Sequence, residues 1–284
     1  MTILVVGGSG FLGSELVRQA RVAGHTTVAT YATEPGAASP SAWCPLDLRD
    51  TGSLDAVMAE VNPRVIINAS SRHADWAVTA EGPLQLAKVA ARRGARLVHT
   101  STDAVFSGVG RAHYDESCLP DPVTPYGAAK AAAETGVLAL HPKAVVARTS
   151  LIIGHGRSVH ERLVHQLAAG TVDGALFTDD IRCPVHVSDL AAALLELASS
   201  DATGMRHLAG SDALSRHDLG VLIAERDGLD ASRLPTALRA DSVVPGALDV
   251  RLDSRATQRQ LRTTLRGARE FLNPADQALS ADPT

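Results

Sequence analysis

The stretch that most narrows what this chain can fold into is VVGGSGFLG, residues 5–13. It closes an apolar run, TILVV (2–6), and opens a segment with apolar residues at helical spacing, FLGSELVRQARVAG (11–24). Gly7, Gly10 and Gly13 therefore stand in G-x-x-G-x-x-G spacing at a strand–turn–helix junction, with Ser9 inside the turn. A tight turn, close backbone approach and a helix N-terminus with free N–H groups are what a pyrophosphate requires. The spacing predicts a dinucleotide-binding turn rather than a merely structural one.

The pattern then repeats. TTVAT (26–30), RVIINA (64–69), RLVHTS (96–101) and AVVART (144–149) are short and rich in β-branched residues. Between them lie helical patterns at 51–63, 79–94 and 125–142, each ending near Gly or Pro. Apolar strands alternating with helices predict an α/β fold: a Rossmann-type, doubly wound parallel sheet covered on both faces. The second half is less regular, with helices expected over 159–170, 187–200, 215–228 and 253–272. The expected division is a dinucleotide-binding domain over 1–154, with 182–200 packing back onto it, and a smaller, mostly helical substrate lobe over 155–181 and 201–284. The last residues, LSADPT, are expected to fray.

Bulk properties exclude several classes. The formal net charge is −4 with scattered basic residues, so nothing marks a nucleic-acid or anionic-membrane surface. Cys44, Cys118 and Cys183 are far apart and lack a CxxC, which suggests neither a disulfide framework nor a zinc site. The N-terminus enters a strand directly, so a soluble cytoplasmic protein is expected.

Only three tyrosines and three lysines occur in 284 residues, yet Tyr126 and Lys130 stand one helical turn apart in TPYGAAKAAAET. At that spacing they project from one helix face. A phenol with an ordinary pKa of about 10 is a poor acid near neutrality unless a neighbouring cation stabilises the phenolate. Upstream, VHTSTDAVFSG presents Ser101, Thr102 and Asp103 at a strand's carboxyl end, where a hydroxyl can polarise a carbonyl.

With these in place the chain resembles an extended short-chain dehydrogenase/reductase of the dTDP-4-dehydrorhamnose reductase-like branch. ILVVGGSGFLG, NPRVIINAS, STDAVFSG, YDESCLPDPVTPYGAAKAAAE, ARTSLIIG and CPVHVSDLAAALLELA carry the resemblance over nearly the whole length. It implies Thr102, Tyr126 and Lys130 as the catalytic triad, with Tyr126 giving a proton, Lys130 lowering its pKa and binding ribose, and Tyr126 and Lys130 both touching the cofactor. It implies Gly10, Phe11, Leu12, Asp47, Leu48, Ala69 and Ser70 along the cofactor, and Asp103 beside the substrate. Asp47 reads equally as a helix cap. The departures lie on the substrate side: Ala104 and Leu151 where the family has aromatics, Thr79 for an asparagine, and a shortened segment 70–78. Trp76 is expected to fill the space, with Arg72 and His73 available to face the substrate. Leu151 and Trp76 should then border one cleft with Thr102 and Tyr126, differing in shape from that of a rhamnose-pathway reductase.

Among the remaining polar residues, Asp179 and Asp180 read as a solvated or structural turn, with Arg182 a substrate contact. Arg148 reads as a structural ion-pair partner. His155, His160 and His165, five residues apart, do not converge on one helix face, so no metal is expected. No acid or arginine ends the second strand, leaving NAD and NADP both open with a lean to NADPH. The expectation is an NAD(P)-dependent ketoreductase acting on a nucleotide-linked 4-keto-6-deoxy sugar or another polar ketone. Its expected partners are that small molecule and, at most, a second copy of the chain, with neither nucleic acid nor membrane. The alternative is a dinucleotide-binding regulatory subunit without turnover.

Overall fold

The computed structural model describes residues 1–273, so the tail expected to fray lies outside the described residues. Seven strands form one parallel sheet: β1 (Thr2–Val6), β2 (Thr26–Tyr31), β3 (Ala42–Pro45), β4 (Val65–Asn68), β5 (Arg96–Thr102), β6 (Val145–Thr149) and β7 (Gly204–Leu208). Their order is β7-β6-β5-β4-β1-β2-β3, so the direction of winding reverses beside β1. Ligands of such sheets bind outside the strand carboxyl ends at that reversal.

Alternation along the strands builds two cores. Ile3, Val5, Ile67, Val98 and Ala147 point to one face, covered by Leu12, Leu16 and Val17 of α1 (Phe11–Val22) and Leu190, Ala191 and Leu194 of α6 (Val187–Ala198). Leu4, Val6, Ile66, Leu97 and Val146 point to the other. There they meet Leu54 and Met58 of α2 (Thr51–Val61), Leu86 and Ala90 of α3 (Gly82–Arg93) and Val137 of α4 (Pro125–Leu140). Strands buried on both faces are why their sequences are rich in apolar and β-branched residues. A third core, with Ile153, Val164, Leu167, Leu219 and Ile223, joins α5 (Val159–Ala169) to α7 (Arg216–Arg226).

Two features depart from the sequence reading. GMRHL, within the stretch assigned to the lobe, is the seventh strand and pairs β6 from Gly204↔Val145 to Leu208↔Thr149. The helix expected over 253–272 is present only as Arg255–Gln258 and Ala268–Phe271. Tertiary partners claim the backbone between them. Glu196 accepts from the N–H groups of Arg262 and Thr263, and Gln258 bonds the Thr263 carbonyl and the Leu265 N–H.

Candidate active site

The glycine turn is built as its spacing requires. Gly7 has φ +80°, and a Cβ there would lie 2.9 Å from the Ser70 backbone; one on Gly13 would lie 2.1 Å from the Gly7 carbonyl. The turn thus lies directly against the β4 exit, where Ala69 and Ser70 sit. Ser70 is held by Asn68, whose Oδ1 accepts from its N–H at 3.1 Å and its hydroxyl at 2.6 Å. Gly10 caps α1 without a side-chain bond and no acid occupies the first turn, so the helix's N–H groups stay available to an anion. Ser9 and Gly10 are exposed and Phe11 half-buried, while the Leu12 side chain enters the core. Asp47 does not cap α2; Asp50 does, accepting from Gly52 and Ser53. Asp47 is instead paired with Arg49, which holds its carboxyl down to about 2. Leu48 packs beside Gly82 at the start of α3. These residues fit a nicotinamide dinucleotide laid from the glycine turn toward the β5 end.

At the β5 end, the Thr102 hydroxyl accepts from the Ala104 N–H at 3.2 Å and lies 3.3 Å from Asp103 Oδ1. Asp103 is buried, its Oδ2 accepting from the Ser150 hydroxyl at 2.6 Å. Thr124 caps α4 and Pro125 opens it, setting Tyr126 in the first turn. Burial pushes the Tyr126 phenol above its ordinary range, Asp103 adding to the effect while hydrogen bonds with Ser71 and Thr102 oppose it. Desolvation and the neighbouring carboxylate outweigh the stabilising contacts, and Lys130 is not among those contacts. Ser101 is turned away, donating to Glu134 at 2.6 Å.

Lys130 is buried and donates to the Thr100 carbonyl at 3.0 Å. Burial brings its pKa down to about 8, with Glu134 opposing. That shift predicts that Lys130→Met stabilises the fold at pH 7. Below pH 8 the lysine is charged in both states and the cost of burying the ammonium is fully present. Between 8 and the ordinary 10.5 the unfolded chain holds a proton that the folded chain has released, so wild-type stability rises. Above 10.5 the cost is gone. The gain is up to about 3 kcal/mol, less the roughly 1 kcal/mol of the lost hydrogen bond. Denaturant titrations at pH 7 and pH 10 check this; a variant no more stable than wild type at pH 7 refutes it.

The substrate side differs from expectation. Trp76 is 51% exposed, and the ring on Tyr126 is that of His73, stacked with centroids 4.1 Å apart and planes at 19°. Leu151 faces the lobe core. Arg182 is not free to meet a substrate: it lies buried 3.1 Å from Asp180 and donates to the Ile181, Ala247 and Leu248 carbonyls. Asp180 is not solvated but buried, a hub for Arg182, Arg216 (3.1 Å) and Arg239 (3.4 Å). Asp103 lies 3.6 Å from Arg182, and Asp179 accepts from the Arg239 and Ala240 backbone N–H groups, so the three guanidinium groups lie among three carboxylates. Arg239 also lies 3.7 Å above the Phe177 ring.

Arg216, Arg239, Phe177 and His160 line a cavity of about 530 Å³ between α5 and α7. His160 is 3.3 Å from Arg216, and its pKa is brought down to about 3 by burial, then by Arg216. His165 goes instead to Asp227 and His155 to Ser188. Sequence reasoning missed Ser71, Ser150, His160 and Arg216 as site residues, and only the shortened 70–78 segment signalled the first.

The family model described as "RmlD substrate binding domain" matches residues 1–273. A probable low-salt glycan biosynthesis reductase of Haloferax volcanii is 32% identical over 267 residues, 87% of each chain. A dTDP-4-dehydrorhamnose reductase of Mycobacterium tuberculosis is 32% identical over 249 residues, 82% of this chain and 77% of that one. The crystal structure of dTDP-4-dehydrorhamnose reductase from Bacillus anthracis in complex with NADP superposes with a TM-score of 0.81 at 21% identity, covering 95% and 96% of the two chains. Matched along the whole described length and carrying the glycine turn and the Tyr126–Lys130 helix where they are needed, the chain belongs to the extended short-chain dehydrogenase/reductases, in their RmlD-like sugar-nucleotide reductase branch.

Proposed function

We propose that the protein is an NAD(P)-dependent ketoreductase whose substrate is a nucleotide-linked 4-keto-6-deoxy sugar or a related polar ketone. The observation that carries this reading is Thr102 at the end of β5 beside Tyr126 in the first turn of α4, with Lys130 one turn further on and the glycine turn two strands away. A nicotinamide dinucleotide, when bound, supplies the hydride, and the open glycine turn fits its pyrophosphate. Tyr126 keeps its proton in the resting site because burial and Asp103 disfavour the phenolate. It releases that proton to the carbonyl oxygen as negative charge develops there. Thr102 orients the same oxygen. One Lys130 N–H is taken by Thr100, leaving two for ribose hydroxyls.

The substrate class is supported by the arginine-lined cavity between α5 and α7. Arg216 and Arg239 suit a diphosphate, and His160, uncharged near neutrality, offers hydrogen bonds. No acid ends β2 at Tyr31, so either dinucleotide is accommodated, with a lean to NADPH. The test is NADPH fluorescence with a panel of keto-sugar nucleotides and simple ketones. Oxidation by a keto-sugar nucleotide is the expected result. Tight dinucleotide binding with no oxidation by any carbonyl overturns the reading and returns the chain to the regulatory alternative.

A further inference from the structure

Asp103 puts a buried carboxylate beside the reacting centre. Its Oδ1 lies 3.3 Å from the Thr102 hydroxyl, which donates to it. Reduction places negative charge on the carbonyl oxygen that Thr102 orients, and a bare carboxylate so near opposes that charge. It also competes for the hydroxyl. Thr102 has one proton to give, and the Ala104 N–H at 3.2 Å already occupies one of its lone pairs.

The other oxygen of the same carboxylate is well served. Ser150, directly after β6, donates to Oδ2 at 2.6 Å, and its own oxygen is fixed by the Cys183 N–H at 3.2 Å. The Arg182 Nε stands 3.6 Å from Oδ2, too far for a hydrogen bond but near enough for its charge to act. Two successive residues thus address Asp103, Arg182 directly and Cys183 through Ser150. Arg182 is pinned in this place, because the Ile181, Leu248 and Ala247 carbonyls accept from its other nitrogens at 2.7, 2.6 and 2.9 Å. Its neighbour Asp180 does not consume its charge, since Arg216 and Arg239 serve that carboxylate as well. Ser150, Asp103 and Arg182 are all buried, so water screens these contacts weakly.

We propose that Ser150 and Arg182 are positioning residues for the reduction: they draw the Asp103 charge toward Oδ2, away from Thr102, and leave the Thr102 hydroxyl loosely held and ready to turn to the carbonyl oxygen. The inference rests on the ketoreductase reading. The threonine keeps its proton throughout; only the direction of its O–H changes, from Asp103 Oδ1 at rest to the substrate oxygen as charge develops there. Loss of Ser150 or Arg182 acts twice in the same sense. The carboxylate holds the Thr102 hydroxyl more tightly, and its charge bears more strongly on the oxygen that is becoming negative. Both effects arise in the transition state, where the oxygen is charged, and not in the ground state, where the carbonyl is neutral.

The test is steady-state kinetics with a keto-sugar nucleotide, paired with fluorescence titration of NADPH. Ser150→Ala is expected to lower kcat by about tenfold, with KM and the NADPH dissociation constant within about twofold of wild type. Ser150→Thr, which keeps the hydroxyl, should stay within about threefold of the wild-type kcat. Arg182→Gln should lower kcat further, by about thirtyfold or more, and Arg182→Lys, which keeps a charge, should recover part of that loss. The deciding measurement is the cycle with Asp103→Asn. Once the charge is gone there is nothing to draw away, so Ser150→Ala in that background should change kcat by less than about twofold. Should Arg182→Gln fail to fold, the Ser150 variants still decide. The proposal is overturned by a Ser150→Ala kcat within about twofold of wild type, by a loss shared equally with NADPH affinity, or by the same loss in the Asp103→Asn background. An active wild type with any of these results ends this inference alone; a wild type that reduces no carbonyl ends the ketoreductase reading and the inference with it.

Discussion

Tyr126→Phe lowers kcat for carbonyl reduction by about 10²- to 10⁴-fold, a loss of roughly 3–5 kcal/mol of transition-state stabilisation. The direction follows from what the phenol can do and its neighbours cannot. Thr102 has its hydroxyl engaged with Ala104 and Asp103, Lys130 donates into the β5 backbone, and Asp103 is bound by Ser150. None is placed to replace a proton donor. Removing the hydroxyl costs the fold only about 1 kcal/mol, because the ring keeps its stack on His73. The variant should therefore remain folded and bind dinucleotide within a few-fold of wild type, so that the loss appears in kcat. Steady-state kinetics with parallel fluorescence titration of NADPH measure both. A variant retaining more than about a tenth of wild-type kcat removes Tyr126 from the proton-donor role.

What could be read in the sequence was what neighbouring residues encode. Gly7, Gly10 and Gly13 state their turn through spacing alone, and the structure adds only the reason: Gly7 at φ +80° against Ser70, and Gly13 against a carbonyl. Tyr126 and Lys130 share a helix face by arithmetic. The strands could be recognised because both sheet faces are covered, so apolar and β-branched residues dominate them. GMRHL escaped notice because β7 lies at the sheet's edge, where Arg206 and His207 break the apolar pattern.

The substrate side was poorly legible for the same reason in reverse. Ser71 meets Tyr126 across 55 positions of chain, and Arg216 meets Asp180 across 36. No local pattern records such meetings. Arg182 looked available because it follows a turn rich in aspartates. In the fold, three backbone carbonyls and Asp180 take up its guanidinium, since a buried arginine must have its donors satisfied. Trp76, the conspicuous aromatic of the shortened segment, proved less informative than His73 three residues before it, because the Thr79 hydroxyl, bonded to both the N–H and the carbonyl of Arg72, decides which side chains face inward.

The same helix that presents Tyr126 and Lys130 carries Glu134 one turn further on, and this third position is where the fold is most exposed to damage. Glu134 and Arg148 are 2% and 3% exposed and joined twice, at 2.9 and 2.7 Å. Ser101 donates a third bond to the carboxylate, and Arg148 lies 4.8 Å from the centre of the Phe106 ring. Glu134→Ala leaves a guanidinium buried without its counter-charge, and the expected loss is about 3–5 kcal/mol of folding stability. Arg148→Ala strands the carboxylate with a similar loss. The double variant should lose markedly less than the sum, with a coupling of about 1–3 kcal/mol, since it leaves neither charge alone. The consequence reaches the chemistry as well. Glu134 is the group that opposes the fall of Lys130 to about 8, so its removal should bring the Lys130 titration lower still. Urea unfolding of the four proteins measures the coupling. Additive losses, or a single-variant loss below about 1 kcal/mol, would mean that α4 is held to β6 by its apolar contacts and not by this pair.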